Sequence, residues 1–139
     1  MELLDHIRST EASLNDVRVK TREAYNRLLS ESRWIRDGNF RSIHSEDLQT
    51  LFKHYDELFF DGLLAATTKS ANTPLSFRIS KRMTRVGGTT TKYRHYNTPG
   101  LHASYEIAVS STLLFTTFHD VDRSIVVSGI ECKDRVEAL

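Results

Sequence analysis

The spacing of the apolar residues changes at Gly62, and this change constrains the fold more than any other feature of the chain. Before Gly62, apolar residues recur every three or four positions, which is the spacing of one face of an α-helix. After it, Leu75, Phe77 and Ile79 alternate with polar residues, which is typical of a half-buried β-strand. The sequence therefore predicts an α+β fold in which helices precede a small twisted sheet of three or four strands.

The first predicted element is one long helix over residues 2–37, a stretch without proline or glycine that Gly38 would end. A nearly heptad-spaced apolar seam runs along it, formed by Leu3, Ile7, Thr10, Leu14, Val17, Thr21, Ala24, Leu28, Glu31 and Ile35. Such a seam suits either self-association through residues 3–35 as a coiled coil or an amphipathic helix that lies on its own domain. The polar residues within the seam favour the second interpretation.

The second predicted helix is rich in aromatic residues. We expect Ser45 to be its N-cap, because the acidic residues Glu46 and Asp47 follow and favour a helix start. Gly62 would end it. Its apolar stripe has helical spacing and predicts packing in the core, through Leu48, Leu51, Phe52, Tyr55, Leu58 and Phe59.

The remaining chain is expected to form the sheet and the beginning of a last helix. Strands are predicted over residues 75–80, 89–93 and 105–110, with a loop at 94–104, a short helix or turn within 111–124, and a fourth short strand or extended run at 125–130. Strong helix formers and the apolar pair Val136 and Leu139 predict a helix start within residues 133–139.

The charged residues are unevenly distributed along the chain. The net formal charge of +1 is the sum of −3 over residues 1–61, +7 over residues 62–105 and −3 over residues 106–139. The middle segment contains no acidic residue, and aromatic residues lie between its basic ones. This combination suits the backbone and the unstacked bases of a nucleic acid. The alternative is that the flanking acids fold against this segment and neutralise it. The candidate anion-binding residues are Arg78, Lys81, Arg82, Arg85, Lys92 and Arg94.

Composition excludes several classes of protein. A length of 139 residues fits one domain. The single cysteine, Cys132, excludes an internal disulfide and a multi-cysteine zinc site. No apolar run reaches the length of a membrane span, and the first residues do not resemble a signal peptide, so a cytoplasmic protein without a membrane partner is expected.

Four segments follow one another in this sequence. They are the aromatic helix that ends in Phe59-Phe60-Asp61-Gly62-Leu63-Leu64, the turn Arg82-Met83-Thr84 to Gly87, the strand Tyr105 to Ser110, and the helix start Asp134-Arg135-Val136-Glu137-Ala138-Leu139. In this order they resemble the SprT-like family of zinc metallopeptidases. The turn is the most specific of the four. The resemblance covers roughly residues 46–139, with interruptions at 94–104 and 115–130, and implies a zincin-like domain at 45–139 preceded by a helical extension at 1–44.

The resemblance also implies a zinc cofactor, but the chain lacks the ligands. In family members the helix that begins with the last of these segments carries the catalytic His-Glu-x-x-His. The six histidines here include no His-x-x-x-His pair, and the only His/Asp cluster is His119-Asp120-Val121-Asp122, whose residues are more typical of a solvated loop. The resemblance therefore implies the amino-terminal part of a metallopeptidase domain, with no catalytic or metal-binding residue in this chain and no activity as it stands. Without the metal helix, we expect marginal stability and exposed apolar surface near Val136 and Leu139.

Two further expectations concern partners. In the family architecture an edge strand lines the cleft and can pair with an extended protein substrate, which makes Tyr105, Glu106, Ile107, Ala108, Val109 and Ser110 the candidate cleft rim. The motif turn at Arg82, Met83, Thr84 and Gly87 is expected to be structural, with Arg82 holding a carboxylate and Thr84 capping the turn; the alternative is that it contacts the substrate directly. The alternative function is a non-enzymatic SprT-like module that binds protein or nucleic acid through the basic segment 62–105.

Overall fold

The computed structural model describes residues 3–9, 13–101, 103–118, 124–127 and 130–139. In these residues the chain has an α+β fold, as predicted from the sequence. The helices are α1 (Leu3–Ser9), α2 (Leu14–Glu31), α3 (Ser45–Phe60), α4 (Leu63–Ser70), α5 (Ser111–Thr117) and α6 (Arg135–Ala138). The strands are β1 (Leu75–Ser80), β2 (Gly88–Arg94), β3 (Ala103–Ser110), β4 (Ile125–Val127) and β5 (Ile130–Cys132).

The prediction of one helix over residues 2–37 is wrong, because two helices occupy this stretch and the second ends well before Gly38. Ser13 begins α2 as an N-cap whose side chain accepts a hydrogen bond from the amide of Asp16. At the other end, the hydroxyl of Ser32 accepts hydrogen bonds from the amides of Trp34 and Ile35. Serine side chains that bond to nearby amides in this way compete with the helical ladder, so the helix ends at Glu31.

The start of α3 also differs from the prediction, since His44 is the N-cap and Ser45 is the first helical residue. The His44 ring accepts from the amide of Glu46 at 3.1 Å, and the carboxylate of Asp47 accepts from the amide of His44 at 2.9 Å. This reciprocal capping box satisfies amides at both positions. The expected acidic first turn is present, and its Asp47 also accepts the hydrogen bond from the N-cap amide.

A further helix, α4, follows α3 almost directly and was not predicted. Asp61 and Gly62 both adopt left-handed backbone conformations, which end α3 and turn the chain. The buried carboxylate of Asp56 then accepts hydrogen bonds from the amides of Leu64 and Ala65, at 2.8 and 3.0 Å. A carboxylate at a helix N-terminus satisfies amides that have no partner within the helix, so Asp56 ties α4 to the side of α3.

The main sheet has three strands in the order β1-β3-β2. β1 pairs with β3 in parallel, with Phe77 beside Ile107, and β2 pairs with β3 antiparallel, with Thr90 beside Ile107. The ring of Phe77 packs against Phe52 of α3, with centroids 5.6 Å apart, so the apolar face of the sheet is turned toward that helix. β4 and β5 form a separate two-stranded antiparallel sheet.

The hydrophobic core is continuous across residue 44, the predicted end of the helical extension. Its buried members come from both sides of that position, namely Ala24, Leu28, Ile35, Phe40, Leu51, Leu114, Phe118, Cys132 and Val136. The seam of α2 is therefore divided: Ala24 and Leu28 are fully buried, whereas Leu14 is 67% exposed. Residues 24–35 thus pack on their own domain, and self-association stays a prediction for the exposed first part of the seam.

The helices give no sign of a membrane-spanning segment. Within the described ranges, no helix combines the length and the apolar character needed to cross a membrane.

Candidate functional site

The outer edge of β2 offers unpaired main-chain groups to a partner. The amide of Ser110 donates to the carbonyl of Gly87 at 2.8 Å, which fixes the hydrogen-bonding phase between β2 and β3. In an antiparallel pair the residues alternate between facing the partner strand and facing away. It follows that the amides and carbonyls of Gly88, Thr90 and Lys92 point away from β3, and no other strand among the described residues covers them.

The predicted rim at Tyr105 to Ser110 requires a correction. These residues form most of β3, which is the central strand and is paired on both sides, with β1 and with β2. Its main-chain groups are used within the sheet, so it has no free edge for an extended substrate. In the main sheet the edge strands are β1 and β2, and the edge strand that pairs antiparallel with β3 is β2.

The motif turn between β1 and β2 is held by hydroxyl groups at the end of β3. Ser110 donates to the carbonyl of Met83 at 2.7 Å, and Thr112 donates to the carbonyl of Lys81 at 2.7 Å. Ser80 contributes from within the turn, since its hydroxyl accepts from the amide of Met83 at 3.2 Å. The turn is therefore a rigid connection whose backbone is satisfied by buried or half-buried hydroxyls.

Two expectations about the turn are not met. Arg82 is exposed and contacts no carboxylate among the described residues, and Thr84 is exposed and makes no capping hydrogen bond there. The positioning residues are Ser80, Ser110 and Thr112; of these, only Ser110 was a predicted site residue, and it was predicted for the cleft rim rather than for this role. A run of hydroxyl residues directly after a predicted strand is a recognisable N-cap signal and could have identified them.

A groove of about 490 Å³ adjoins the start of β2. Residues of β2, β3, α5, β4 and the C-terminal helix line it, among them Gly88, Val109, Leu113, Val127 and Leu139. Most of these residues are apolar, so the groove is a place where a side chain or a helix could be buried. The edge of β2 and this groove lie side by side because Gly88 belongs to both.

The short helix α6 is anchored firmly beside the groove. Asp134 is its N-cap, accepting from the amide of Glu137 at 2.9 Å. The buried guanidinium of Arg135 donates to the carbonyls of Phe40 and Phe118, at 2.8 and 2.9 Å. Val136 is only 4% exposed, so the expectation of exposed apolar surface at this residue is wrong. Leu139 is partly buried.

The six candidate anion-binding residues do not form one patch. Lys81, Arg82 and Arg85 lie together on the exposed turn at one end of the sheet. Lys92 and Arg94 lie near the other end of β2, paired with Tyr105 and Ala103 and about 20 Å away at strand rise. Arg78 is the only one with an ion pair among the described residues, to Glu106 at 3.2 Å.

The expectation that flanking acids neutralise the segment therefore holds for Arg78 and fails for the others in the described part of the chain. The ammonium of Lys92 lies 5.8 Å from the ring centroid of Tyr105. This cation–π contact brings no negative charge to balance that of Lys92.

The described residues do not fit a zinc ion. Protein zinc sites need three or four converging His, Cys, Asp or Glu side chains, and no such group of three occurs in the ranges that the structure describes. The cluster at His119, Asp120 and Asp122 lies outside them. Burial, followed by the carboxylates of Glu137 and Asp134, raises the pKa of the Cys132 thiol, which makes it a poor metal ligand and nucleophile.

No family model, curated protein or solved structure matches this chain.

Proposed function

We propose that this chain is the amino-terminal part of a SprT-like zinc-dependent metallopeptidase domain, inactive as it stands because it lacks His-Glu-x-x-His. The proposal rests on the four sequence segments that resemble the family, and it treats the chain as the substrate-binding wall of a cleft. Zinc would be held by residues that this chain does not contain, so the described residues supply shape and hydrogen bonds but no catalytic step.

The structural observation that supports the binding part of the proposal is the open antiparallel edge of β2 beside the apolar groove. An extended polypeptide can add to such an edge through main-chain hydrogen bonds, while its side chains enter adjoining pockets. Gly88 belongs both to the edge and to the groove wall, so a strand bound at this edge would have one end beside the groove. The rigid motif turn, fixed by Ser110 and Thr112, holds the start of β2 in place for this pairing.

The buried attachment of α6 supports the same reading. Asp134 caps the helix, and the amide of Val136 donates to the carbonyl of Gly38 at 3.1 Å, so the direction of α6 is fixed against the core. A helix that continued from this position would keep the orientation that these contacts set, and it would start at the groove, which Ala138 and Leu139 line. Two histidines four residues apart lie on one face of such a helix, which is the arrangement that zinc coordination needs.

Metal analysis of the protein made from the complete reading frame tests the proposal. We expect that frame to encode His-Glu-x-x-His after Leu139 and its product to contain about one zinc per chain. We also expect that product to hydrolyse an unfolded protein until a chelator removes the metal. The 139-residue chain, purified in the same way, is the matched control and should contain almost no zinc. A reading frame without the motif, or a product with a zinc content near zero, overturns the proposal.

A second candidate function is a non-enzymatic module that binds nucleic acid through the turn cations. The supporting observation is that Lys81, Arg82 and Arg85 are exposed on one turn and have no ion pair in the described part of the chain. Cations grouped in this way bind phosphates and release counterions, which makes affinity fall with salt.

The test of the second candidate is the salt dependence of binding to single-stranded DNA. Replacing Lys81, Arg82 and Arg85 together by glutamate should lower the slope of log affinity against log salt by about 2. The same triple replacement at the exposed residues Arg33, Arg36 and Arg41 is the charge-matched control and should leave most of the slope. Equal losses in both variants would show a general effect of net charge and exclude this candidate.

A further inference from the structure

We propose that the outer edge of β2 binds an extended acidic peptide segment, whose main chain pairs with Gly88, Thr90 and Lys92 and whose carboxylates contact Lys92 and Arg94. The inference deepens the proposed function by naming the chemical class of the segment that the edge receives. It rests on that function's assignment of β2 as the binding edge, but it requires neither zinc nor hydrolysis.

The register of the sheet leaves main-chain groups of β2 facing outward. Because Gly87 faces Ser110, the amides and carbonyls of Gly88, Thr90 and Lys92 face outward. In the described ranges no protein group bonds to this outer edge, which is seven residues long. A strand edge of this kind is completed by another extended polypeptide, which supplies the complementary donors and acceptors at the same spacing.

Two side chains along the same edge are positively charged. Lys92 and Arg94 are two positions apart, so their side chains project from the same face of the strand, and both are exposed. No carboxylate among the described residues pairs with either of them. Residues 62–105, which contain the whole of β2, carry no acidic residue. A partner strand with acidic residues at alternate positions would place its carboxylates opposite these two cations.

Two other occupants of the edge are disfavoured by the same features. A second copy of β2 would bring another strand with two cations and no acid, and like charges across a strand pair are unfavourable. A nucleic acid would satisfy the cations but has no backbone amides and carbonyls at strand spacing, so the main-chain groups of Thr90 would stay unpaired.

Fluorescence anisotropy with the 139-residue chain tests the inference. The probes are labelled peptides matched to the seven residues of β2, one alternating threonine with glutamate and one alternating threonine with lysine. We expect the acidic peptide to bind about tenfold more tightly than the basic peptide, because two cross-strand charge pairs change from repulsive to attractive. Replacing both Lys92 and Arg94 by glutamate should reverse this preference.

A pair of variants at Thr90 separates strand pairing from simple charge attraction. Thr90→Pro removes an outward-facing amide while leaving the ladder with β3 intact, since proline is tolerated on the open side of an edge strand. Thr90→Val keeps that amide and the shape of the side chain. We expect the proline variant to lose most of the binding to the acidic peptide and the valine variant to retain it.

Three outcomes would overturn the inference. The first is equal affinity for the acidic and basic peptides, and the second is undiminished binding of the acidic peptide by Thr90→Pro. The third is that oligothymidylate displaces the acidic peptide and binds Thr90→Pro as tightly as it binds the wild type. The proposed function fails separately, through absence of zinc in the product of the complete reading frame. If the 139-residue chain binds the acidic peptide but the product of the complete reading frame holds no zinc, only the proposed function is rejected. If that product is a zinc peptidase but the chain shows no preference for the acidic peptide, only this inference is rejected.

Discussion

The phenol of Tyr25 in α2 donates a 2.5 Å hydrogen bond to the carboxylate of Asp134, which is also the N-cap of α6. The two residues are 109 positions apart in the sequence, so this contact joins the first part of the chain to its last helix. It fixes α6, and Ala138 and Leu139 at the end of α6 line the groove that adjoins β2. Four predictions about stability follow from this core and from the motif turn, and one follows from the open edge.

Removing the Tyr25 hydroxyl should weaken the attachment of α6. We expect Tyr25→Phe to lower the free energy of unfolding by about 1 kcal/mol, because one hydrogen bond to a charged acceptor is lost while solvent still reaches Asp134. Urea denaturation followed by circular dichroism measures the change. Tyr96→Phe is the matched control, since Tyr96 is 86% exposed; equal effects of the two variants would contradict the role of the contact.

The same contact should make stability depend on pH in the alkaline range. Burial, followed by the hydrogen bond and charge of Asp134, raises the pKa of Tyr25 from 10.0 to about 12. An acid whose pKa is raised on folding contributes stability below its unfolded pKa and loses that contribution as pH rises through its folded pKa. The wild type should therefore lose its stability advantage over Tyr25→Phe between pH 10 and 12. An advantage that stays constant across this range would contradict the assignment.

Gly38 should tolerate a side chain only at a cost in stability, although its backbone is not left-handed. A Cβ at this position would collide with the carboxylate of Asp134 and the hydroxyl of Tyr25. We expect Gly38→Ala to cost about 1–3 kcal/mol in unfolding free energy, as overpacking does elsewhere. Gly87→Ala is the control, because a Cβ there meets nothing within 4 Å and should change stability by less than about 0.5 kcal/mol.

Among the residues that hold the motif turn, Ser110 should lose the most stability on substitution. Its hydroxyl donates to Met83 and accepts from the amide of Leu113, and the residue is only 1% exposed. Ser110→Ala leaves both groups without this partner, so we expect a loss of about 1–3 kcal/mol in unfolding free energy. Ser76→Ala, on the exposed face of β1, should change stability by less than about 0.5 kcal/mol. A neutral Ser110→Ala would show that the turn does not depend on this hydroxyl.

The sequence allowed the type and approximate position of most elements to be predicted, because the alternation of Leu75, Phe77 and Ile79 and the stripe on α3 are strong periodic signals. The boundaries that failed depend on side-chain hydrogen bonds. Ser32 ends α2 through local bonds to the backbone, and Asp56 starts α4 from within the preceding helix. Neither interaction leaves a periodic pattern in the sequence.

The candidate site was predicted less well than the fold, because strand order is a property of tertiary pairing. Alternation identified Tyr105 to Ser110 as a strand, but it carries no information on whether that strand lies at an edge or in the centre. Placing β3 between β1 and β2 transferred the open edge to Gly88–Arg94. The basic segment was recognised from its charge, yet only the register of β2 separates the turn cations from Lys92 and Arg94.

The most direct test of the account is cleavage of an unfolded protein substrate by the product of the complete reading frame, compared with its Thr90→Pro and Thr90→Val variants. If substrate pairs with the outer edge of β2, the proline variant should lose about tenfold or more in kcat/KM at unchanged zinc content, because it lacks a main-chain hydrogen bond to the substrate. The valine variant should cleave like the wild type. Equal cleavage by the proline and valine variants, or no cleavage by the zinc-loaded wild type, would contradict the account.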